Sequence, residues 1–155
     1  MRFLKIIPVE RPKILINNIP DPNWFAGFTT GEGNFNVIIY KSKDMKTGLR
    51  VQLRFRLYQH ERDVELIKLL IKYLGSGKIE KDSRTSIICL LINKISDITN
   101  KIIPFFQKNQ ILGVKHLDYL DFCKIAKLMK EGSHLTLEGL DLIRKIKFGM
   151  NTGIK

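Results

Sequence analysis

Hydrophobic residues recur with helical spacing along some parts of the chain and alternate with polar residues along others. The stretch from Trp24 to Glu32 has a helical composition apart from its glycines, with Asn23 as the predicted N-cap and Gly33 just past the C-terminal end. From Asn34 onward the hydrophobic period changes to two. This change predicts a β-strand that follows the helix directly.

A turn-like segment, residues 41–48, separates this strand from a second and more regular one over residues 49–58. The apolar positions of the second strand alternate without a break, and they are Leu49, Val51, Leu53, Phe55 and Leu57. The two strands therefore predict a β-hairpin with one apolar face.

Helical spacing returns over residues 61–74, where a single apolar stripe ends at Gly75. Residues 78–82 and 85–93 then alternate again and predict a second hairpin. Two hairpins of this kind predict an antiparallel sheet, which leaves one face available to solvent or a ligand.

The rest of the chain is helical in pattern. We expect a short helix over residues 96–103 that stops near Pro104, and longer amphipathic helices over 114–131 and 136–150, the last one capped by Thr136. The order of elements is helix, hairpin, helix, hairpin and further helices. This order predicts an α+β fold in which helices cover one face of the antiparallel sheet.

The first part of the chain is rich in proline, at Pro8, Pro12, Pro20 and Pro22. Proline disfavours helix in the residue before it and removes a backbone donor, so residues 1–20 read as an extended, linker-like segment. We expect a single folded domain over residues 21–155, since 155 residues are too few for two ordinary domains.

Charge gives the first indication of a partner. The chain has 27 Lys and Arg against 15 Asp and Glu, a net charge of +12 with a pI near 9.8. Such an excess predicts a polyanionic partner, and nucleic acid is favoured over a membrane because the longest apolar run, residues 87–92, is too short to span a bilayer. Cys89 and Cys123 lack metal-site spacing, and the first residues show no targeting pattern.

The polar side of the second strand predicts how nucleic acid would be contacted. Its side chains recur on one face about every 6.6 Å, twice the rise of a strand, and three arginines follow one another there without an acid along the strand. A two-stranded ribbon fits the DNA major groove, although an ordinary solvated sheet face is the simpler alternative. The predicted contacts are Asn34, Asn36, Tyr40, Lys41, Lys43, Arg50, Gln52, Arg54, Arg56, Tyr58, Lys78, Glu80 and Lys81.

The first helix contains two glycines and ends on an acid. Gly27 and Gly31 are four residues apart, so they share one side of the helix and leave a groove for another helix. A loop or poorly formed helix is the alternative. Glu32 lies in the last turn, where the helix dipole disfavours a carboxylate, and this local conflict is typical of a functional residue, although a solvated surface acid remains the alternative.

The nine residues from Phe25 to Gly33 resemble the motif of the LAGLIDADG homing endonucleases, with Gly27 and Gly31 at the helix-contact positions and Glu32 at the metal-binding acid. The resemblance covers roughly residue 19 to the end. Segments such as 73–77, 102–104, 113–115 and 134–136 are similar to the C-terminal half of two-motif, intron-encoded members.

The resemblance implies an αββαββα core with additional C-terminal helices, a sheet with one face on double-stranded DNA, and an organellar, mitochondrial location. Two units would pair through their motif helices at Phe25, Gly27, Phe28 and Gly31. Only one motif is present in this chain, so the second unit would come from a homodimer or from another half.

The resemblance also implies a site-specific, metal-dependent phosphodiesterase. Glu32 and Gly31 would hold Mg²⁺, while Gln59 and Lys115 would act around the reacting phosphate, unless they are an ordinary strand-end amide and a solvated lysine. Glu80 stands where similar proteins tend to have a basic residue. The alternatives are a non-cleaving, RNA-maturase-like protein of the same fold and a basic interaction module unrelated to nucleic acid.

Overall fold

Four antiparallel strands form one sheet. They are β1 (Gly33–Lys41), β2 (Leu49–His60), β3 (Lys78–Lys81) and β4 (Ile87–Ile92), and they lie in the order β1-β2-β4-β3. The structure is a computed structural model that describes residues 8–9 and 21–152. Apart from residues 8–9, the predicted linker-like segment 1–20 therefore lies outside the described residues.

Helices precede, separate and follow the two hairpins. They are α1 (Pro22–Glu32), α2 (Val64–Leu74), α3 (Ile95–Asp97), α4 (Ile103–Lys108), α5 (Val114–Lys130) and α6 (Leu137–Phe148). The α+β class and the order of elements predicted from the sequence are confirmed. Within the described ranges, no helix is both long enough and apolar enough to cross a membrane.

Two helix ends differ from the prediction, and proline explains both. The N-cap of α1 is Asp21 and not Asn23, because Pro22 occupies the first turn, where its missing N–H costs nothing. The carboxylate of Asp21 accepts a hydrogen bond from the backbone N–H of Asn23 at 2.7 Å. Pro104 likewise lies in the first turn of α4, so helical structure continues to Lys108 and does not stop at the proline.

The core lies between the sheet and the helices and is largely aromatic. Alternate residues of β2, from Val51 to Leu57, are buried, as the period of two predicted. Phe55 packs against Phe35 and Phe106, with ring centroids 5.4 and 5.7 Å apart. One side of the sheet is thus fixed against the helices, and the side chains between these buried positions point to the other side.

Phe25 belongs to this core, which corrects the expectation that it lies at an interface with a second unit. Its side chain is 0% exposed, and its ring lies 5.1 Å from that of Phe105 and 5.6 Å from that of Phe106. A residue enclosed in this way cannot reach another chain. Phe25 instead attaches α1 to the rest of the molecule.

We therefore expect Phe25→Ala to lower the free energy of unfolding by about 3 to 5 kcal/mol, the usual cost of removing a buried phenylalanine side chain. Urea denaturation followed by circular dichroism measures this change. Phe148→Ala is the matched control, because Phe148 is 87% exposed and its loss should alter stability by less than about 0.5 kcal/mol. Equal effects of the two changes would contradict the position of Phe25 in the core.

Candidate nucleic-acid interface and catalytic site

The strand pairing gathers most of the predicted DNA contacts on the sheet face opposite the helices. In the register of β1 and β2, Asn34 faces Arg56, Asn36 faces Arg54, and Tyr40 faces Arg50. Their strand neighbours Phe35, Val37, Val51, Leu53 and Phe55 are buried on the helix side. We call this surface the polar face, and its members are Asn34, Asn36, Tyr40, Arg50, Gln52, Arg54, Arg56, Tyr58, Lys78 and Glu80.

Acidic side chains from other elements reach two of the three arginines. The carboxylate of Glu80 lies 3.8 Å from the guanidinium of Arg56 and 3.8 Å from the ammonium of Lys78, and Asp44 lies 3.9 Å from Arg50. The absence of acids noted in the sequence thus holds along β2 alone. Asp44 comes from the turn between β1 and β2, and Glu80 comes from β3, which belongs to the second hairpin, so the pattern of β2 alone could not reveal them.

Arg54 differs from the other two arginines. It forms no ion pair within residues 21–152, and its Nε donates to the side-chain oxygen of Gln52 at 2.6 Å. This bond ties the guanidinium to the neighbouring residue of the same face. Arg54 and Gln52 together present hydrogen-bonding groups suited to base edges in the major groove.

Two predicted contacts lie on the other side of the sheet. Lys81 pairs with the buried Ile88 on the helix side, and its ammonium forms an ion pair with Glu61. The hydrogen bond from Lys81 lowers the pKa of that carboxyl. Lys41 also lies on the helix side of the sheet, since it pairs with Leu49. Consecutive strand residues face opposite sides, so neither lysine belongs to the polar face; Lys43 is exposed in the turn.

The exposed side of α1 contains two glycines and therefore has few side-chain atoms. Gly27 and Gly31 are exposed, and a Cβ added to either one would meet no atom within 4 Å. Trp24 stacks on Phe28 at a centroid distance of 5.4 Å, and both residues share this side with the glycines because the spacing is three and four residues. We call the surface formed by Trp24, Gly27, Phe28 and Gly31 the α1 outer face. Trp24 was not among the predicted interface residues, although its spacing could have identified it.

Glu32 ends α1 beside the start of the polar face. Its side chain is exposed, and α1 has no basic residue in its last turn. The positive charge comes from α5 instead, where the Nζ of Lys115 donates to the carbonyls of Thr30 at 2.8 Å and Thr29 at 3.2 Å. A cation at this position offsets the negative end of the helix dipole.

Burial is the largest influence on Lys115 and lowers the pKa of its ammonium, while the charges of Glu32 and Asp118 act in the opposite direction. The structure thus brings Lys115 to the end of α1 that carries Glu32. The alternative of a simple solvated lysine does not fit this environment.

Gln59 lies near the same end of α1. Leu57 pairs with Gly33, the first residue of β1, so Gln59 extends two residues past the paired region toward the helix end. Its side-chain oxygen accepts a bond from the backbone N–H of His60 at 3.3 Å. By its register with Ile88 it faces the helix side of the sheet.

The donors at this site suit a hard divalent cation. The carboxylate of Glu32 forms no ion pair in the described ranges, and the carbonyl of Gly31 is among the last four of the helix, which have no intrahelical partner. Mg²⁺ and Ca²⁺ prefer such oxygen ligands. Within residues 8–9 and 21–152, no group of three or more His, Cys, Asp or Glu side chains is arranged to hold a metal ion.

Solved structures with the same fold belong to homing endonucleases. The LAGLIDADG homing endonuclease I-SmaMI bound to cleaved DNA superposes with a TM-score of 0.92 at 49% identity, over 96% of this chain and 50% of that one. The homing endonuclease I-TnaI superposes with a TM-score of 0.83 at 38% identity, over 88% of this chain and 90% of that one. The architecture is therefore that of a homing endonuclease unit.

The sequence comparisons specify the family. The LAGLIDADG endonuclease family model matches residues 25–126. Probable intron-encoded endonuclease 3 of Neurospora crassa is 47% identical over 91% of this chain and 26% of its own length, and probable intron-encoded endonuclease 2 of the same fungus is 37% identical over 94% of this chain and 33% of its own. The chain belongs to the LAGLIDADG endonuclease family and spans about a quarter to a third of these curated relatives.

The contact of Lys115 with α1 has a measurable consequence. Lys115→Met should lower the free energy of unfolding by about 1 to 2 kcal/mol, because two carbonyls lose a charged donor. Lys124→Met is the matched control, since Lys124 lies on the same helix and its ion pair with Asp121 is exposed. Urea denaturation of both variants measures the difference, and indistinguishable curves would contradict a capping role for Lys115.

Proposed function

We propose that this chain is one unit of a two-unit, site-specific DNA endonuclease that cuts double-stranded DNA with a divalent metal ion, Mg²⁺. The observation that carries the proposal is the continuity of α1 with β1: Glu32 is the last residue of α1, and Asn34 begins the polar face two positions later. Contact with DNA through the polar face would therefore bring a phosphate close to the carboxylate.

Binding to duplex DNA rests on the polar face and on the charge of the whole chain. Arginine can bind guanine and asparagine or glutamine can bind adenine through paired hydrogen bonds, and all three residue types are present on neighbouring strands. The net charge of +12 adds attraction for phosphates that does not depend on sequence. I-SmaMI, with which this chain shares about half its residues, has been solved with an uncleaved DNA target in the presence of calcium ions.

Pairing with a second unit rests on the α1 outer face. Gly27 and Gly31 leave room for the backbone of another helix, and the stacked Trp24 and Phe28 supply apolar area beside them. The second unit is either another copy of this chain or a different half of a longer chain. The match to 50% of the I-SmaMI chain supports the form in which this unit is one half of a longer chain. The match to 90% of the I-TnaI chain supports the form in which the unit is a separate chain that pairs with another copy.

Each site residue has a distinct part in the proposed reaction. Glu32 and the Gly31 carbonyl would hold the ion; when bound, it would supply an activated water and offset charge on the phosphate and the departing oxygen. Lys115 holds the end of α1, which fixes the direction of Glu32, and its ammonium adds positive potential there. Gln59 orients water near the scissile phosphate through its amide. A second unit contributes the corresponding residues for the other strand.

Names of relatives also suggest where the reaction takes place. One relative is an uncharacterised protein in ND4 intron 1 of Podospora anserina, 30% identical, and another is a probable intron-encoded endonuclease, Cox1-I1b, of Schizosaccharomyces pombe, 26% identical. These are intron-encoded proteins of fungi, and we propose an organellar, mitochondrial location for this chain.

The catalytic assignment is tested with Glu32→Gln. A duplex selected by the wild-type chain from a random library should be cut in the presence of Mg²⁺, and Glu32→Gln should slow cutting by at least about a hundredfold while binding is kept, because an amide is a poor ligand for the metal. Single-turnover cleavage and a gel-shift titration measure the two effects.

Glu138→Gln serves as the control, because Glu138 is exposed on α6 and far from α1 in the chain. Unchanged cutting by Glu32→Gln would refute the assignment of the acid. Two wild-type units bound to one duplex without any cutting would favour the alternative of a non-cleaving protein of the same fold, and preferential binding of RNA would favour the maturase-like form.

Pairing through α1 is tested with Gly31→Leu. In a single unit the new side chain meets open space and improves helix propensity, so stability should be kept or raised by up to about 1 kcal/mol. Between two units the same side chain should separate the helices. Sedimentation of the chain bound to its selected duplex should therefore change from two units per duplex to one.

Lys145→Leu adds the same side chain at an exposed position of α6 and should leave the assembly unchanged. An unaltered mass for Gly31→Leu would show that the α1 outer face is not the pairing surface. If the wild type binds at one unit per duplex, pairing between two copies of this chain is ruled out. The remaining form is then the one in which this unit pairs with a different half.

A further inference from the structure

The residue Asn151, just beyond α6, touches the edge of the sheet beside the proposed catalytic acid. Its side-chain nitrogen donates to the backbone carbonyl of Phe35 at 2.8 Å, and its side-chain oxygen accepts from the side-chain nitrogen of Asn34 at 3.1 Å. Strand β1 is at the edge of the sheet, so the carbonyl of Phe35 has no neighbouring strand on that side. Asn151 thus satisfies an edge carbonyl and a polar-face side chain together.

Asn151 is held in place by its own backbone. It is the one residue other than glycine within 8–9 and 21–152 that has a positive φ, at 56°. Asparagine tolerates this left-handed conformation better than most residues. The carboxylate of Asp118, which is 6% exposed on α5, accepts the backbone N–H of Asn151 at 3.0 Å, and the preceding Met150 is buried in the core. Three contacts therefore fix this residue between α5, α6 and β1.

The contact decides which way the amide of Asn34 is turned. A side-chain amide has two N–H donors on its nitrogen and two acceptor sites on its oxygen. When one N–H of Asn34 is bound to Asn151, the other N–H and the oxygen remain available on the polar face. That pair is the arrangement that reads adenine, which accepts at N7 and donates from N6.

Asn36, the next residue on the same face, is held differently. Its side-chain oxygen accepts from the backbone N–H of Val37 at 2.8 Å, so one of its two acceptor sites is occupied by its own strand. The two asparagines occupy equivalent positions in the sequence pattern, but their side chains have different hydrogen-bond partners. Only Asn34 is oriented by a residue from the C-terminal part of the chain.

We propose that Asn151 is a positioning residue for DNA recognition, and that it orients the Asn34 amide so that this unit prefers adenine at one position of its target. The inference rests on the proposed function, since it requires duplex DNA on the polar face. Asn151 itself touches no base. Its effect on sequence preference passes through Asn34.

Asn151→Gly tests the inference, because glycine adopts the same positive φ and removes only the side chain. Base preference is measured by selecting bound duplexes from a random library with the wild type, Asn151→Gly, Asn34→Ala and the double variant. The position that Asn34 reads is the one at which Asn34→Ala loses its preference for adenine. At that position Asn151→Gly should reduce the preference about three- to tenfold, the usual effect of immobilising one polar side chain.

The double variant separates positioning from a general loss of structure. In the Asn34→Ala background, Asn151→Gly should cause no further change in base preference, and preference at all other positions should stay as in the wild type. Urea denaturation confirms that each variant is folded. If Asn151→Gly alters preference at several positions, or still alters it when Asn34 is absent, the inference is wrong.

Two further outcomes separate this inference from the proposed function. If the wild type selects a sequence and Asn151→Gly selects the same one with equal preference, the positioning role fails and DNA recognition stands. If the wild type selects no duplex at all, the proposed function fails and the positioning role fails with it.

Discussion

The packing of Phe25 into the aromatic core fixes where everything else on α1 points. Its ring is enclosed by Phe105 and Phe106, so the opposite side of the helix, with Gly27 and Gly31, must face outward. The same packing holds α1 against the core. The chain then passes directly from Glu32, the last residue of α1, into β1. The buried contact of Phe25 therefore determines the positions of the α1 outer face, of Glu32 and of the start of the polar face relative to one another.

Electrostatics at the end of α1 follow from this alignment. A carboxylate at the negative end of a helix is unfavourable, and the last turn of α1 contains no basic residue that could offset it. The compensation comes from Lys115, which lies far along the chain and reaches the carbonyls of Thr29 and Thr30. The acid can remain exposed because a neighbouring helix stabilises the segment that carries it. The C-terminal helices thus support the site as well as the core.

Local patterns in the sequence predicted the fold well, since strand alternation and helical spacing depend on neighbouring residues. The alternation in β2 is sufficient to place Arg50, Arg54 and Arg56 on one side of the strand. Predictions failed where the outcome depended on distant partners or on strand ends. Phe25 was assigned to an interface because a motif does not show burial. Lys81 was grouped with Glu80 although consecutive strand residues face opposite sides, and the pairing with β4 shows which of the two faces the helices. Contacts such as those of Asn151 join residues more than a hundred positions apart, and a single sequence carries no signal for them.

Glu80 gives the polar face a property that its arginines alone would not have. Its carboxylate lies between Arg56 and Lys78, so two of the cations on this surface are partly neutralised within the protein. Attachment to arbitrary DNA depends on displacing counterions from phosphates, and internally paired cations displace fewer of them. A base edge that hydrogen-bonds to both Arg56 and Glu80 can replace their ion pair, so binding to such a base is not weakened by it. In the proposed function, an acid within a basic surface would thereby weaken binding to unrelated DNA more than binding to a matching site, and the protein would leave unrelated DNA sooner.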